Sequence, residues 1–427
     1  FAKAVEMCNN NGTCRKFDAG TMCPSYRVTR DEQHLTRGRA NTLRLALSGQ
    51  LGAEGLSNPE LLAAMDLCVG CKGCKRDCPT GVDMARMKVE TLHHYKARHG
   101  FTLKDRLIAY LPRYARHAAR WSGLLNLRNK IPLLAQLAEY VSGLSAQRSW
   151  PTWHNTHFFN QATQGVTKEA VLSAHKPVVL FVDTFNGYFE SSNAQAALRV
   201  LQAAGYSVHV ASKTEGGHGA NKGHLCCGRT FLANGMVDKA REHARELIEA
   251  LLPFADQGIA IVGLEPSCLL TLRDEALVLG LGDSAQRVSQ HAVLLEEFLA
   301  NEAKAGALDS LKQQLAPAEK TILLHGHCHQ KAFGLMPPVL DVIRLIPNAA
   351  PELIESSCCG MAGSFGYESS HHTVSMQMAE LSLLPAVRAK PDAIVVADGT
   401  SCRHQIEDGT SRQAIHVAQL LSDHLKH

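Results

Sequence analysis

The chain has 427 residues, 45% of them hydrophobic and 20% charged, enough for ordinary buried cores divided among two or three domains. A formal charge of +4 falls far short of the basic excess of a dedicated nucleic-acid binder, and no apolar run approaches the roughly 18 residues of a membrane span. No signal-peptide pattern follows Phe1, so the sequence reads as a cytoplasmic protein, and as a piece of a longer one. Fourteen cysteines in that compartment point to metal rather than disulfides.

The first stretch with chemistry is "MCNNNGTCRKFDAGTMCPS", which carries Cys8, Cys14 and then Cys23 followed by Pro24. "DEQHLTRGRANTLRLALSGQ" and "SNPELLAAMDL" follow with helical periodicity, the second capped by Ser57 or Asn58 with Pro59 in its first turn. "DLCVGCKGCKRDCPTGVD" then spaces Cys68, Cys71, Cys74 and Cys78 as C-x2-C-x2-C-x3-C-P, the bacterial ferredoxin signature. Zinc sites more often pair two C-x2-C knuckles at a longer separation. In such a signature three thiolates face one iron–sulfur cube and the fourth reaches toward another.

The swapped arrangement gives Cys68, Cys71, Cys74 and Cys23 as one complete set, and Cys8, Cys14 and Cys78 as a second, incomplete one. Its fourth position falls to Asn11, another side chain or water, or the cluster has three irons. The plainer alternative is a single cluster, with Cys8 and Cys14 as small buried residues. Another helix, "VDMARMKVETLHHYKARHG", opens at Asp83 and ends at Gly100, so residues 1–100 read as an α-helical two-cluster ferredoxin-like domain.

Residues 101–175 read as a basic helical linker. Within 101–150, eight basic residues stand against Asp105 and Glu139. "LIAYLPRYARHAARWSGLLNL" mixes Trp, Tyr and Leu with arginines, so this segment is either a solvated linker or a surface that docks an anionic membrane or an acidic partner.

From 176 the pattern becomes α/β: "KPVVLFVDT", the helical "SNAQAALRVLQAAG" and the strand "YSVHVA" form a β-α-β unit. The order returns with the strand "EKTILLHGHCHQKA", the helix "MPPVLDVIRLIPN" and the strand "APELIESSC". "LCCGRTFLANG" matches "SCCGMAGSFGY", and 41 positions separate Cys227 from Cys268 where 43 separate Cys359 from Cys402. Order, spacing and chemistry together indicate an internal duplication, with units at 176–300 and 301–427. The fold class expected is therefore α+β multidomain: the helical ferredoxin-like domain, then the duplicated α/β unit.

Each unit is expected to place its Cys-Cys-Gly at a strand end and a further cysteine at the end of a later strand, where α/β folds build their sites. Gly228 or Gly360 lets neighbouring sulfurs turn toward one metal. The second unit offers Cys328, Cys358, Cys359 and Cys402, a full set for a four-iron cluster. The first offers only Cys226, Cys227 and Cys268, as a metal site or as a decayed one kept for packing. His325, His327 and His329 around Cys328 are hydrogen-bond partners, ligands or proton relays. "GGHG" at 216–219 reads as a flexible loop, and neither a G-x-G-x-x-G after a strand nor a Ser/His/Asp arrangement is recognisable.

The paired segments resemble the cysteine-rich CCG domain found in heterodisulfide reductase, in the glycolate oxidase iron–sulfur subunit and in the anaerobic glycerol-3-phosphate dehydrogenase iron–sulfur subunit. The opening "CNNNGTCRKFDAGTMCPSYRVTRDEQHLTRGRANTLR" is similar, more narrowly, to the carboxyl-terminal part of bacterial FAD-linked oxidases, which include D-lactate and D-2-hydroxyglutarate dehydrogenases. The resemblance implies one to three 4Fe-4S clusters in this chain and FAD on a preceding domain or partner chain. It implies electron transfer from a 2-hydroxy acid to a quinone, cytochrome or carrier protein, in the cytoplasm or at the inner-membrane surface, with no catalytic substrate residues in this part. Relatives with full heterodisulfide chemistry carry five cysteines in a CCG unit. This chain has Gly399 and Glu265 where the extra cysteines fall. A heterodisulfide-reductase-like catalytic subunit and a structural metal-binding module are the alternatives.

Overall fold

A computed structural model describes residues 1–17, 20–160, 165–213 and 224–426. Among the described residues the first hundred hold helices and no strand. Asn58 caps Pro59–Asp66, its Oδ1 accepting the Glu60 amide at 2.7 Å, and Asp83 caps Met84–His99 through the Arg86 amide. The two cysteine-bearing segments are joined by Asp77, whose Oδ2 accepts the amides of Thr21 and Met22 at 2.7 and 3.0 Å. At this crossing Gly73 is needed for close approach, because a Cβ there would meet Thr21 Cβ at 2.9 Å.

Short helices follow: Leu103–Ala109, Leu111–Arg120, Ser122–Leu125, Pro132–Ser142 and Lys168–Leu172. Two parallel sheets complete the chain. The first is ordered β2-β1-β3-β4 from β1 (Pro177–Phe181), β2 (Ser207–Val210), β3 (Ile261–Gly263) and β4 (Ala292–Leu294). The second is ordered β6-β5-β7 from β5 (Ile322–His325), β6 (Pro351–Leu353) and β7 (Ile394–Ala397). Val179 pairs with Ile261 as Leu323 pairs with Val395, and a parallel bridge from Val396 to Ile415 stands where the first sheet has β4. β1 and β5 are buried almost throughout, which is why they read as continuous apolar runs rather than alternating ones.

The repeats pack reciprocally. Helix Ser191–Ala203 of the first rests on Val417–Asp423 of the second, and Leu295–Lys304 of the first rests on Met336–Ile343 of the second. One core results, running from Leu180 and Leu201 through Leu299 to Leu324, Val342 and Leu420. This is the isologous geometry of a two-fold dimer held within one chain. Arg403 seals the seam with a bidentate pair to Glu190, Nε to Oε1 at 2.8 Å and Nη2 to Oε2 at 2.6 Å.

The expectation that strand ends carry the cysteines is corrected. Cys358 and Cys359 lie in the loop beyond β6, which ends at Leu353, and Cys226 and Cys227 also lie outside any strand. Cys328 does not end a strand: β5 stops at His325, and His327 caps the helix Cys328–Ala332, its Nδ1 accepting the His329 amide at 3.1 Å. Cys268 and Cys402 likewise sit in the first turns of Pro266–Leu272 and Thr400–Thr410. Strands of three or four residues are exhausted before they reach the cysteines, so the return helices present them. The "GGHG" loop lies outside the described residues.

Candidate metal centres

Cys23, Cys68, Cys71 and Cys74 line one cavity. Cys23 Sγ lies 3.0 Å from Thr36 Oγ1, and the amides of Gly73 and Met84 donate to Cys71 Sγ and Cys74 Sγ at 3.5 and 3.4 Å. Burial pushes the thiols of Cys23, Cys71 and Cys74 up, so without metal they stay protonated, and metal uptake would release those protons. Four sulfurs lining one pocket, with amide donors and Arg39 beside them, suit a four-iron cube.

Cys8 and Cys14 are buried in the same core, and Cys78 packs against it. Burial raises Cys14 to about 11. Burial also opposes ionisation of Cys78, yet hydrogen bonds from Thr80 and the neighbouring amides bring it below the ordinary thiol value. Asn11 is committed elsewhere: on an exposed loop its Nδ2 donates to Asn9 Oδ1 at 2.6 Å, and its Oδ1 accepts the Thr13 amide at 2.9 Å. That local turn uses both ends of the carboxamide expected as one substitute ligand.

In the second repeat Cys328, Cys358, Cys359 and Cys402 share one buried cluster. Cys359 receives hydrogen bonds from Cys358 and Cys402 and is held well below the ordinary thiol value. Its donors are pushed up in return, Cys402 by Cys359 and Cys358 by Cys328 and then Cys359. The Gly360 amide donates to Cys358 Sγ at 3.4 Å. Two further groups face this set. His325 is buried with Nδ1 3.0 Å from Ser356 Oγ, it hydrogen-bonds Cys359, and one of its nitrogens lies within 4.8 Å of both the Cys359 and Cys402 sulfurs. Lys331, held by Ser356 Oγ at 3.1 Å, faces all four sulfurs; burial lowers its pKa and the sulfurs oppose that. Sequence reasoning weighed His325, with His327 and His329, as a hydrogen-bond partner, a ligand or a proton relay, and missed Lys331. Its position three residues after Cys328, on the same helix face, was the available signal.

The first repeat repeats the pattern with one thiol fewer. Cys227 receives from Cys226 and Cys268 and is held low, and the Gly228 amide donates to Cys226 Sγ at 3.4 Å. Thr184 occupies the place of Cys328: it follows Asp183, the cap of Thr184–Tyr188, as Cys328 follows the cap His327. Burial, with Glu265 close by, raises Asp183 to about 7. At the positions of the extra cysteines, Glu265 caps Pro266–Leu272, and a Cβ on Gly399 would strike His327 Cδ2 at 2.3 Å.

The loop of the first set is wedged between the repeats. Lys72, 1% exposed with φ +60°, pairs with Asp274 and, at 2.7 Å, with Glu275, which Arg229 also holds. Burial works against ionisation of Glu275, but Arg229 and Lys72 bring its carboxyl to about 2. On the other side His329 Nε2 donates to Gly70 O at 3.2 Å and Arg76 donates to Lys331 O. Cys71 thereby joins the buried cluster of Cys328, Cys358, Cys359 and Cys402. Two four-sulfur sets are neighbours.

A helical domain bearing two cysteine motifs, followed by a duplicated Cys-Cys-Gly unit, defines an iron–sulfur protein. The family described as "4Fe-4S dicluster domain" matches residues 4–82, and "Cysteine-rich domain" matches twice, at 188–273 and 322–407. The matched segments thus run in the order of one dicluster domain and two cysteine-rich domains. It is 26% identical to D-2-hydroxyglutarate dehydrogenase of Escherichia coli (strain K12) over 98% of this chain and 43% of that protein. It is 28% identical to a subunit of anaerobic glycerol-3-phosphate dehydrogenase of the same strain over 58% of this chain and 59% of that subunit. With the glycolate oxidase iron–sulfur subunit of that strain it shares 26% identity over 90% of this chain and 89% of the subunit. The chain thus spans less than half the length of the D-2-hydroxyglutarate dehydrogenases it matches.

Proposed function

We propose that the chain is the electron-transfer part of an FAD-linked dehydrogenase acting on a D-2-hydroxy acid of the 2-hydroxyglutarate, lactate or glycolate class. The FAD belongs to a preceding domain or a partner chain. Oxidation of the hydroxy acid to the oxo acid releases two electrons and two protons, and iron–sulfur clusters, when bound, accept and release electrons singly. Cys23, Cys68, Cys71 and Cys74 hold one cluster. Cys328, Cys358, Cys359 and Cys402 hold another, while Cys8, Cys14 and Cys78 supply three ligands of a further one. Cys226, Cys227 and Cys268 are the weakest metal set. The electrons leave to a quinone, a cytochrome or a carrier protein, with the chain peripheral at the membrane surface.

The observation that carries this reading is the burial of Cys71 together with the four second-repeat cysteines, because single-electron transfer needs centres close together in a dry interior. Disulfide chemistry finds less support, since Gly399 and Glu265 are committed to packing and capping where further thiols would be needed. The reading is tested by redox titration followed by electron paramagnetic resonance on anaerobically prepared protein. Two interacting reducible centres support it; a single isolated centre or redox silence refutes it.

A further inference from the structure

Helix Pro132–Ser142 is oriented against the usual rule. An amphipathic helix normally buries its apolar stripe, but here Leu133, Leu137, Tyr140 and Val141, which fall on one stripe at i, i+4, i+7 and i+8, are all exposed, Leu133 at 72% and Tyr140 at 90%. Its buried positions are the small Ala135 and Ser142. Trp121, 67% exposed, and Leu124 extend the same apolar segment. Of the twenty large hydrophobic side chains exposed among the described residues, nine fall within 121–141. A concentration of this kind marks an interaction surface.

The charges along this segment are predominantly basic. Between 111 and 142 stand Arg113, Arg116, Arg120, Arg128 and Lys130 against Glu139 alone. Arg120 and Lys130 are exposed, Arg113 is paired with Glu242, Arg128 is buried on the Ser145 and Arg148 carbonyls, and Glu139 Oε2 is occupied by the Ala146 amide at 2.7 Å. Exposed Leu with Trp and Tyr beside Arg and Lys is the composition of a helix lying in the interface of an anionic bilayer. At eleven residues the helix is far too short to cross one, and no described helix is long and apolar enough to do so.

We infer that the face formed by Trp121, Leu124, Leu133, Leu137, Tyr140 and Val141 lies on an anionic lipid surface, with Arg120 and Lys130 toward the headgroups. The far end of the helix is stitched to the second repeat: Gly143 O accepts the Ser369 amide at 3.0 Å, and the Ser145 amide donates to Tyr367 O at 2.7 Å. The carboxyl end of the helix is thereby fixed to residues 367–369, in the stretch that follows Cys358 and Cys359. The relevance of the docking rests on the electron-transfer reading, and the test keeps the two apart.

The parent chain is compared with a triple variant, Leu133→Ser with Leu137→Ser and Tyr140→Ser, and with a double variant, Arg120→Gln with Lys130→Gln. All five positions are exposed, so the fold should survive. Flotation with phosphatidylcholine vesicles, with and without phosphatidylglycerol, is read beside sedimentation velocity, iron content and the reducible signal of the same samples. The parent is expected to float with the anionic vesicles, less so at high salt, and to show blue-shifted tryptophan emission. The triple variant should bind roughly tenfold more weakly or worse, and the double variant should lose the preference for phosphatidylglycerol. A parent that does not float, or equal flotation of parent and triple variant, overturns the inference. So does a parent dimer that the triple variant dissolves without any vesicle binding, which would assign the face to a second copy. Lost flotation with iron and signal intact rejects the docking alone, whereas redox silence of the parent rejects the electron-transfer reading.

Discussion

His329 and Gly70 stand far apart in the chain, yet His329 Nε2 lies 3.2 Å from Gly70 O and fastens the loop of Cys71 to the helix that begins at Cys328. The ring is nearly wholly buried and its pKa is pushed well down by burial, with Arg229 adding to the effect. It therefore stays neutral and donates Nε2–H. This short polar link holds the two sets of sulfurs on one buried face.

Replacing His329 with Leu removes that donor and leaves a carbonyl unsatisfied, at a cost of about 1–3 kcal/mol. We expect His329→Leu to lower the melting temperature while iron content stays at the parent level. Iron loss equal to that of a cysteine variant would instead make His329 part of the metal site.

The two repeats should differ in metal because they differ in sulfur. Cys359 is the acceptor among four thiols, whereas Cys227 is the acceptor among three, with Thr184 in the fourth place. Cys359→Ser should lower iron content and alter a cluster signal. Cys227→Ser should change iron less and act through packing, since the site is buried in the first-repeat core. Equal iron loss from both variants would show that the halves bind alike.

The inter-repeat pair has a pH signature. Burial opposes ionisation of Glu190, but Arg403 holds its carboxyl at about 2 against an ordinary 4.5. A folded value below the unfolded one contributes stability that is fully present above about pH 4.5 and is lost as pH falls through about 2. Glu190→Gln should cost about 3 kcal/mol at neutral pH, leaving Arg403 buried without its counter-charge. It should also flatten the stability profile between those pH values. Denaturant unfolding across that range measures both, and a variant whose acid profile matches the parent's would show that the pair carries no such term.

Much of this architecture can be read along the chain because its cues are local. Asn58, Asp83 and Gly100 mark helix ends by capping chemistry, Pro24 and Pro79 follow the cysteines that reach across, and the duplicated Cys-Cys-Gly is a repeat of order as well as composition. What the sequence hides depends on residues far apart. Lys72 reads as one more basic residue in a cysteine loop until Asp274 and Glu275 surround it. The outward stripe of Pro132–Ser142 shows apolar periodicity, and periodicity does not say which way a helix turns. The placement of Cys268, Cys328 and Cys402 on helices rather than strands follows from strand length, which depends on how the sheets pair.

The central claim is that these cysteines hold iron–sulfur clusters that carry electrons. It is met most directly by iron and acid-labile sulfide analysis of anaerobically prepared protein, joined to electron paramagnetic resonance before and after reduction. The account predicts iron and sulfide in comparable amounts, above the roughly four irons of a single cube, and a paramagnetic signal that appears on reduction. Zinc without sulfide, in protein that stays redox-silent, would contradict it.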